Sequence, residues 1–417
     1  MKILFYNHTG TVSGAERVMS MILDRLDRVR FQPVVVCPDE SPMMEMTQKL
    51  KVRTRGLQPL EARFTWRLDL VVRYLISFVT VIRSARRVVI DEAPDVVHAN
   101  SIRAGLVMAA ATLGLDMPVI WHAHDILPLH PLSTAVRIFA MISSRNRILS
   151  VSQAVAKRFR GIILRPLRRR VPILVIHNAV DLERFKPNAR SRAEIRCELE
   201  LNDAQPVVGI VGQLTARKGQ LELIEAFAAL SREVNSEASR ELKDAVLLIA
   251  GKALFNRDEE YAAKLERAAQ SLGIADRVRF LGPRDDIPKL MQGLDVLVVN
   301  SHEEPFALTV LEGLSSGTAV LATAVGGTPE MIRHGENGWL VKALDQKALA
   351  KAMLTLFGDQ SLRRQLGSEG RRSAIARFST NRFLKEVEQL YCDLLESGGM
   401  PQRKEVTRNF EVNLSPD

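Results

Sequence analysis

Asp295-Val-Leu-Val-Val-Asn300-Ser-His-Glu-Glu304-Pro-Phe-Ala-Leu-Thr-Val-Leu-Glu312 passes from an apolar, β-branched run directly into a helical one. Its first six residues have the composition of a buried strand. Pro305 suits a first helical turn, where its missing N–H would have no partner anyway. The amides of Phe306, Ala307 and Leu308, with Thr309 beside them, then make an anion site, because unpaired N–H groups and the positive end of the helix dipole converge there. Glu304 and Glu312 bracket that site. Eight residues of helix rise about 12 Å, so a carboxylate at each end reaches the two hydroxyl-rich ends of a sugar nucleotide with its diphosphate between them. The same residues also fit a capped helix with one glutamate solvated and the other paired.

Outward from this stretch, short β-rich runs alternate with longer helical ones, the signature of βαβ units and a parallel sheet. In the first half the strands are expected at Lys2–Asn7, Pro33–Cys37, Asp95–Ala99, Val119–Trp121, Arg147–Val151 and Ile173–Ile176. The second half repeats the pattern at Val207–Val211, Ala245–Ala250, Arg277–Leu281, Asp295–Val299, Ala319–Thr323 and Gly338–Val341. The fold class expected is α/β, with two Rossmann-like, doubly wound parallel sheets in series joined around Asp181–Pro206. Ligands of such sheets collect at the carboxyl ends of the strands. Residues 1–190 then form one domain and 191–380 the other, facing each other across a cleft. A terminal helix over 381–396 presents Phe383, Val387, Leu390, Tyr391 and Leu394 at helical spacing and must pack on something, the N-terminal domain being the expected place. Residues 397–417 read as a frayed tail.

A chain of 417 residues exceeds what one core usually serves. With 46% apolar and 25% charged residues it is neither disordered nor fibrous. Cys37, Cys197 and Cys392 are too few and too scattered for a disulfide framework or a zinc cage, which favours a reducing compartment such as the cytoplasm. The opening Met-Lys-Ile-Leu-Phe-Tyr-Asn-His is too short an apolar run for a signal peptide. Leu68 to Ile90, the most apolar long stretch, is broken by Arg73, Arg83, Arg86 and Arg87 and does not qualify as a span. The net charge of +10 is lopsided: residues 1–200 carry 31 Lys+Arg against 18 Asp+Glu, the remainder 27 against 30. The N-terminal half therefore has an anionic partner as its expectation: a membrane surface, a phosphorylated acceptor or nucleic acid.

Several motifs in a fixed order carry a family resemblance. They are Ser13-Gly-Ala-Glu-Arg17, Trp121-His-Ala-His-Asp125, Val151-Ser-Gln-Ala-Val155 and Ile176-His-Asn-Ala-Val-Asp-Leu-Glu-Arg-Phe185. The second half adds Val211-Gly-Gln-Leu-Thr-Ala-Arg-Lys-Gly219, Phe280-Leu-Gly282, Ser301-His-Glu-Glu-Pro-Phe306 and Gly326-Gly-Thr-Pro-Glu330. Over about residues 1–395 the chain resembles the retaining glycosyltransferases numbered family four, which have the GT-B fold of two Rossmann-like domains with the active site in the cleft.

The resemblance implies residue roles. Glu304 falls where the family holds the donor sugar, Glu312 where it binds ribose hydroxyls, and Lys218 where a cation neutralises the departing diphosphate, a kind of charge stabilisation that is often the largest catalytic contribution. His124 falls at the family's cleft histidine, as a hydrogen-bonding or acid–base group. Read from the residues themselves, Gly10 and Gly14 flank a loop between the first strand and a helix that begins near Glu16, where glycine permits close backbone approach to a phosphate of the donor or simply makes a tight turn. Arg284, with the loop after Gly282, is expected near the donor's base. Gln213 departs from the pattern, since many members carry arginine there; a neutral amide donates a hydrogen bond but no charge, and Arg217 is the candidate to compensate. Ala307 replaces a common glycine. A double displacement through the two carboxylates is the alternative to the family's front-face attack with retention. No cofactor is implied and no metal is required, although His122 and His124, on one face of a strand, could pair on one.

The acceptor is read from charge and apolarity. Ala62-Arg63-Phe-Thr-Trp66-Arg67-Leu68 mixes aromatic with basic residues, and Arg168, Arg169 and Arg170 sit between aliphatic runs. Interfacial binding to anionic lipid combines these two features. The expectation is a transferase moving a sugar from a UDP- or GDP-sugar to a lipid-linked or saccharide acceptor in bacterial cell-surface polysaccharide or glycolipid synthesis, peripheral on the inner face of the plasma membrane. The alternatives are a soluble small-sugar transferase and a nucleotide-sugar-binding scaffold without turnover. Nothing that reads as a nucleic-acid-binding motif accompanies the basic residues.

Overall fold

The computed structural model describes residues 1–60, 68–161, 172–230, 242–254 and 256–396. It divides into two compact units, Met1–Asn178 together with the chain from Asn381, and Ala179–Thr380. The first holds seven parallel strands, β1 (Lys2–Tyr6), β2 (Gln32–Pro38), β3 (Arg53–Leu57), β4 (Val96–Ala99), β5 (Val119–Ala123), β6 (Arg147–Ser150) and β7 (Ile173–Val175), in the order β3-β2-β1-β4-β5-β6-β7. The second holds six, β8 (Val207–Val211), β9 (Val246–Ala250), β10 (Val278–Gly282), β11 (Val296–Val299), β12 (Ala319–Thr323) and β13 (Trp339–Val341), in the order β10-β9-β8-β11-β12-β13. Helices cover the sheets, so β4, β5, β6, β9, β11 and β12 are buried at every position; β9 and β11 accordingly read as unbroken apolar runs, while β4, β5, β6 and β12 also bury His98, His122, Arg147, Ser150 and Thr323.

All twelve expected strands form. The sequence reading missed β3, whose Arg-Thr-Arg-Gly-Leu lacks an apolar run because it is an edge strand paired only with β2. The division between units also differs from the expected boundary after residue 190. Residues from Ala179 onward are tied into the second unit: Val180 bridges Ser379, and the Phe185 carbonyl accepts from Ser315 Oγ (2.6 Å) and Arg371 Nη1 (2.9 Å). Arg196, 1% exposed, pins the start of the second sheet by donating to the carbonyls of Gly293, Asn202 and Gln205 and to Asp295 Oδ2, while Asp295 accepts the Val207 amide.

The helix Thr380–Glu396 buries Phe383, Val387, Leu390, Tyr391 and Leu394 within the first unit. Tyr391 meets the rings of Phe5 and Phe31 edge-on, and Glu388 accepts the Asp27 amide at 3.1 Å.

In each sheet the strand order reverses beside its first strand: between β1 and β4 in one, between β8 and β11 in the other. Such switch points open a crevice beyond the carboxyl ends of the two strands. Gln213, Arg217, Lys218, Glu304 and the start of the helix after it leave the sheet there, whereas Arg284 follows β10 at the sheet's edge.

Candidate active site

β8 ends at Val211 and hands the chain to Gly212, Gln213 and the turn carrying Arg217 and Lys218; β11 ends at Val299 and hands it to Asn300 through Glu304. The two segments are stitched together. Asn300 Nδ2 donates to the Gly219 carbonyl (2.9 Å) and the His302 amide to the Arg217 carbonyl (2.8 Å). At the centre lies Glu304, 6% exposed. Its Oε2 accepts from Lys218 Nζ at 2.5 Å and from Ser301 Oγ at 3.0 Å, with Arg217 Nη1 at 3.8 Å. A carboxylate so enclosed needs charge-assisted partners, and these supply them. Arg217 also donates to the Glu303 carbonyl at 2.9 Å, so its guanidinium is beside the carboxylate that Lys218 holds.

The helix begins later than Pro305 suggests. It spans Leu308–Ser315 with Ala307 as N-cap, so Glu304 and Pro305 lie in the connection and Glu312 falls at its fifth residue. The spacing argument from eight helical residues is thereby corrected: only about 6 Å of helical rise separates Leu308 from Glu312. The anion site shifts with it. Leu308 and Thr309 open the first turn, where amides have no carbonyl one turn back, and Ala307 offers no capping side chain. Ala307 has φ −72°, which any residue adopts, so this backbone does not require the glycine common at that position. Phe306 is buried with its ring 6.0 Å from that of Phe378, so its side chain anchors the connection and only its backbone faces the first turn.

The end of β12 and the loop after it are tied to the same connection. The Gly327 amide donates to the Glu304 carbonyl at 3.0 Å, and Thr323 Oγ1 to the Ser301 carbonyl at 2.6 Å. Gln213 Nε2 donates to Asp258 Oδ2 at 2.6 Å, and Asp258 is almost wholly buried. Arg284, at the end of β10, is held by both oxygens of Asp286 (2.8 and 2.7 Å) and by Glu198 (2.7 Å), which raises its already high pKa, chiefly through the Asp286 hydrogen bonds. Its guanidinium is therefore engaged by side chains of its own unit, an arrangement the expectation of base contact did not foresee. Sequence reasoning gave no site role to Ser301, Asn300 or Asp258; Ser301 and Asn300 lie inside the quoted stretches, but nothing local marks Asp258.

Gly14 and His124 belong to the first unit. Gly14 is the first residue of the helix Gly14–Arg25 and not part of the loop before it, because Ser13 caps that helix with its amide and hydroxyl both donating to Glu16 (2.9 and 2.6 Å). His124 follows β5. A buried chain runs toward it: Tyr391 Oη lies 2.8 Å from His98 Nδ1, His98 Nε2 lies 3.0 Å from His122 Nδ1, and the rings of His122 and His124 are 3.9 Å apart. Burial lowers the pKa of His98 to about 3 and that of His122 well below its usual value, with their histidine neighbours adding to the effect; burial likewise lowers His124. Among the described residues no group of three or more His, Cys, Asp or Glu could hold a metal ion.

These histidines give a pH prediction. The folded state keeps His98 and His122 neutral while the unfolded chain takes up protons near pH 6.5, so the unfolded state binds more protons in acid. Their contribution is present above about pH 6.5 and is lost as pH falls toward 3. Two such groups remove about 2–3 kcal/mol between roughly pH 7 and pH 5.5. Urea unfolding at the two pH values measures this; equal stability would refute it. A His122→Gln variant is expected to flatten the slope.

The six remaining predicted residues, Arg63, Trp66, Arg67, Arg168, Arg169 and Arg170, lie outside the described residues.

Comparison with known proteins bears on both halves. Residues 191–373 match the family described as Glycosyl transferases group 1, and residues 12–184 match Glycosyltransferase Family 4. The lipopolysaccharide core biosynthesis glycosyltransferase LpsE of Rhizobium meliloti is 28% identical over 398 residues, 95% of this chain and 99% of that one. The D-inositol 3-phosphate glycosyltransferase of Salinispora arenicola is 36% identical over 238 residues, 56% of this chain and 52% of that one. With several curated relatives, as with this one, the match spans about half of their length. The structure of Anabaena Alr3699/HepE in complex with UDP and glucose is 25% identical, with a TM-score of 0.75 over 95% of this chain and 100% of that one. Two family models in their proper order, on two switch-point sheets, lead to one assignment: the chain belongs to the group 1 glycosyltransferases of family 4 and has the GT-B fold.

Proposed function

We propose that the protein transfers a hexose, with retention, from a nucleotide-diphosphate sugar to a lipid-linked or saccharide acceptor in cell-surface polysaccharide or glycolipid synthesis. The observation that carries this reading is the clamp at the β8/β11 switch point, where Lys218 and Ser301 hold Glu304 at the mouth of the helix Leu308–Ser315. Lys218 is the cation for the leaving diphosphate, helped by Arg217 and by the first-turn amides of Leu308 and Thr309. Glu304 holds the donor sugar and Glu312 the ribose. When a diphosphate arrives, Lys218 exchanges part of its contact with Glu304 for phosphate oxygens, which leaves the carboxylate ready to accept from sugar hydroxyls. His124, kept neutral by burial, supplies a hydrogen bond and not a charge. Neither a metal nor a cofactor enters this scheme.

UDP is the favoured nucleotide because the HepE structure contains UDP and glucose. A surface-polymer acceptor is favoured by the full-length likeness to LpsE. A scaffold without turnover would draw its support from the uncharged Gln213, where many family members carry arginine. The Gln213 amide donor is directed to buried Asp258, which gives that residue a structural task independent of any lost charge.

A thermal-shift series with UDP, GDP, ADP and their sugars tests the donor. At a hundredfold excess over Kd the matching nucleotide stabilises by about 2.7 kcal/mol, a rise of roughly 5–11 °C for a domain of this size. No shift with any of them would remove the proposal. A shift without slow release of nucleotide from the sugar donor would favour the scaffold.

A further inference from the structure

We propose that the outward face of the helix Leu68–Glu92 docks on an anionic lipid bilayer. This rests on the lipid-linked acceptor reading for its purpose, but its physical basis is separate. Val81, Ala85 and Val89, four residues apart, are at most 1% exposed and fix one side of the helix in the first unit. The opposite side carries Leu75, Val79, Arg83, Arg87 and Ile90, spaced four, four, four and three residues apart. Leu75 is 59% exposed, its neighbour Ile76 64%, Val79 44% and Ile90 57%. Aliphatic side chains left in water along successive turns of one helix mark a surface that something covers.

The charges on this helix say what covers it. Arg86 is spent on the carbonyls of Ala111 and Leu113, both at 2.8 Å. Asp91 and Glu92 are neutralised from β3 and β1 by Arg55, Arg53 and Lys2. Arg83 and Arg87 remain exposed on the aliphatic face. Such a face lays its aliphatic groups at the acyl boundary while the arginine heads reach lipid phosphates along their own apolar stems. It lies on the bilayer and does not cross it: among the described residues no helix is long and apolar enough to span. The excess of basic residues in the first 200 adds long-range attraction of the same sign.

Co-sedimentation of the full chain with phosphatidylcholine vesicles, with and without phosphatidylglycerol, tests this. The expected result is recovery with the anionic vesicles only, weakened by salt. Arg83→Ala/Arg87→Ala is expected to lower partitioning about thirtyfold, and Leu75→Ser/Val79→Ser to lower it while leaving the melting temperature in place, since these side chains are exposed. Equal recovery from both vesicle types, or variants that bind as the parent does, would overturn it. So would a dimer in solution that the same variants disperse, because a second copy would then be the occupant. UDP thermal shift and donor hydrolysis, run on the same samples, keep the two proposals separable: vesicle binding without either sinks the donor reading alone, and the reverse sinks this one alone.

Discussion

Lys218→Met lowers turnover of the nucleotide-sugar donor by about two to three orders of magnitude, the range found when one preorganised group facing the developing charge is removed. Methionine keeps the length and apolar stem of lysine and deletes only the charge. Two consequences follow from the geometry. The departing diphosphate loses its nearest cation, which acts most strongly as the glycosidic bond breaks, so kcat falls more than KM rises. Glu304 also loses its 2.5 Å partner and keeps only Ser301, with Arg217 at 3.8 Å. A nearly buried carboxylate that has lost its charged partner is destabilised where it stands and reorients. Steady-state kinetics and UDP binding on a variant of confirmed fold measure the effect. A loss smaller than tenfold would remove Lys218 from the chemistry and return it to the role of a turn lysine.

Gly326→Ala is the larger effect on folding. Gly326 has φ +53°, and a Cβ there would lie 1.8 Å from the Glu304 carbonyl oxygen, a backbone atom that cannot swing aside. Left-handed strain and the clash together cost about 3 kcal/mol or more. Relief requires moving the connection that holds Glu304, and with it the bond from the Gly327 amide to the Glu304 carbonyl. Activity therefore falls even where the variant folds. Gly335→Ala is the internal control: its φ is +75°, yet nothing lies within 4 Å of the added carbon, so only backbone strain remains and about 1 kcal/mol is expected. Denaturant unfolding of the two variants compares them directly. Equal losses would show that the contact with Glu304 does not matter.

The parts of this protein that local chemistry governs were legible before any coordinates. Parallel strands buried on both faces are mostly apolar, so Val246–Ala250 and Val296–Val299 announce themselves. β3 did not, because an edge strand is held by main-chain pairing to β2 and its Arg53 and Arg55 answer to carboxylates at the end of the helix Leu68–Glu92. The helix start was misplaced by three residues for a similar reason. Pro305 tolerates a first turn, but the Gly327 amide captures the Glu304 carbonyl and the Phe306 ring packs on Phe378, which keeps the connection out of the helix until Ala307.

Sequence alone determined the two-sheet class and the order of motifs and hence the family, and through that resemblance it marked Lys218 and Glu304 one by one, since these readings depend on composition and spacing within short stretches of chain. Only the tertiary structure decided which groups meet. Lys218 reaches Glu304 across 86 residues, Arg284 turns to Glu198 across the same separation, and Tyr391 reaches His98 across 293. Those encounters are set by where the sheets bring strand ends together and by which buried polar groups must find partners there, conditions that no window of sequence contains.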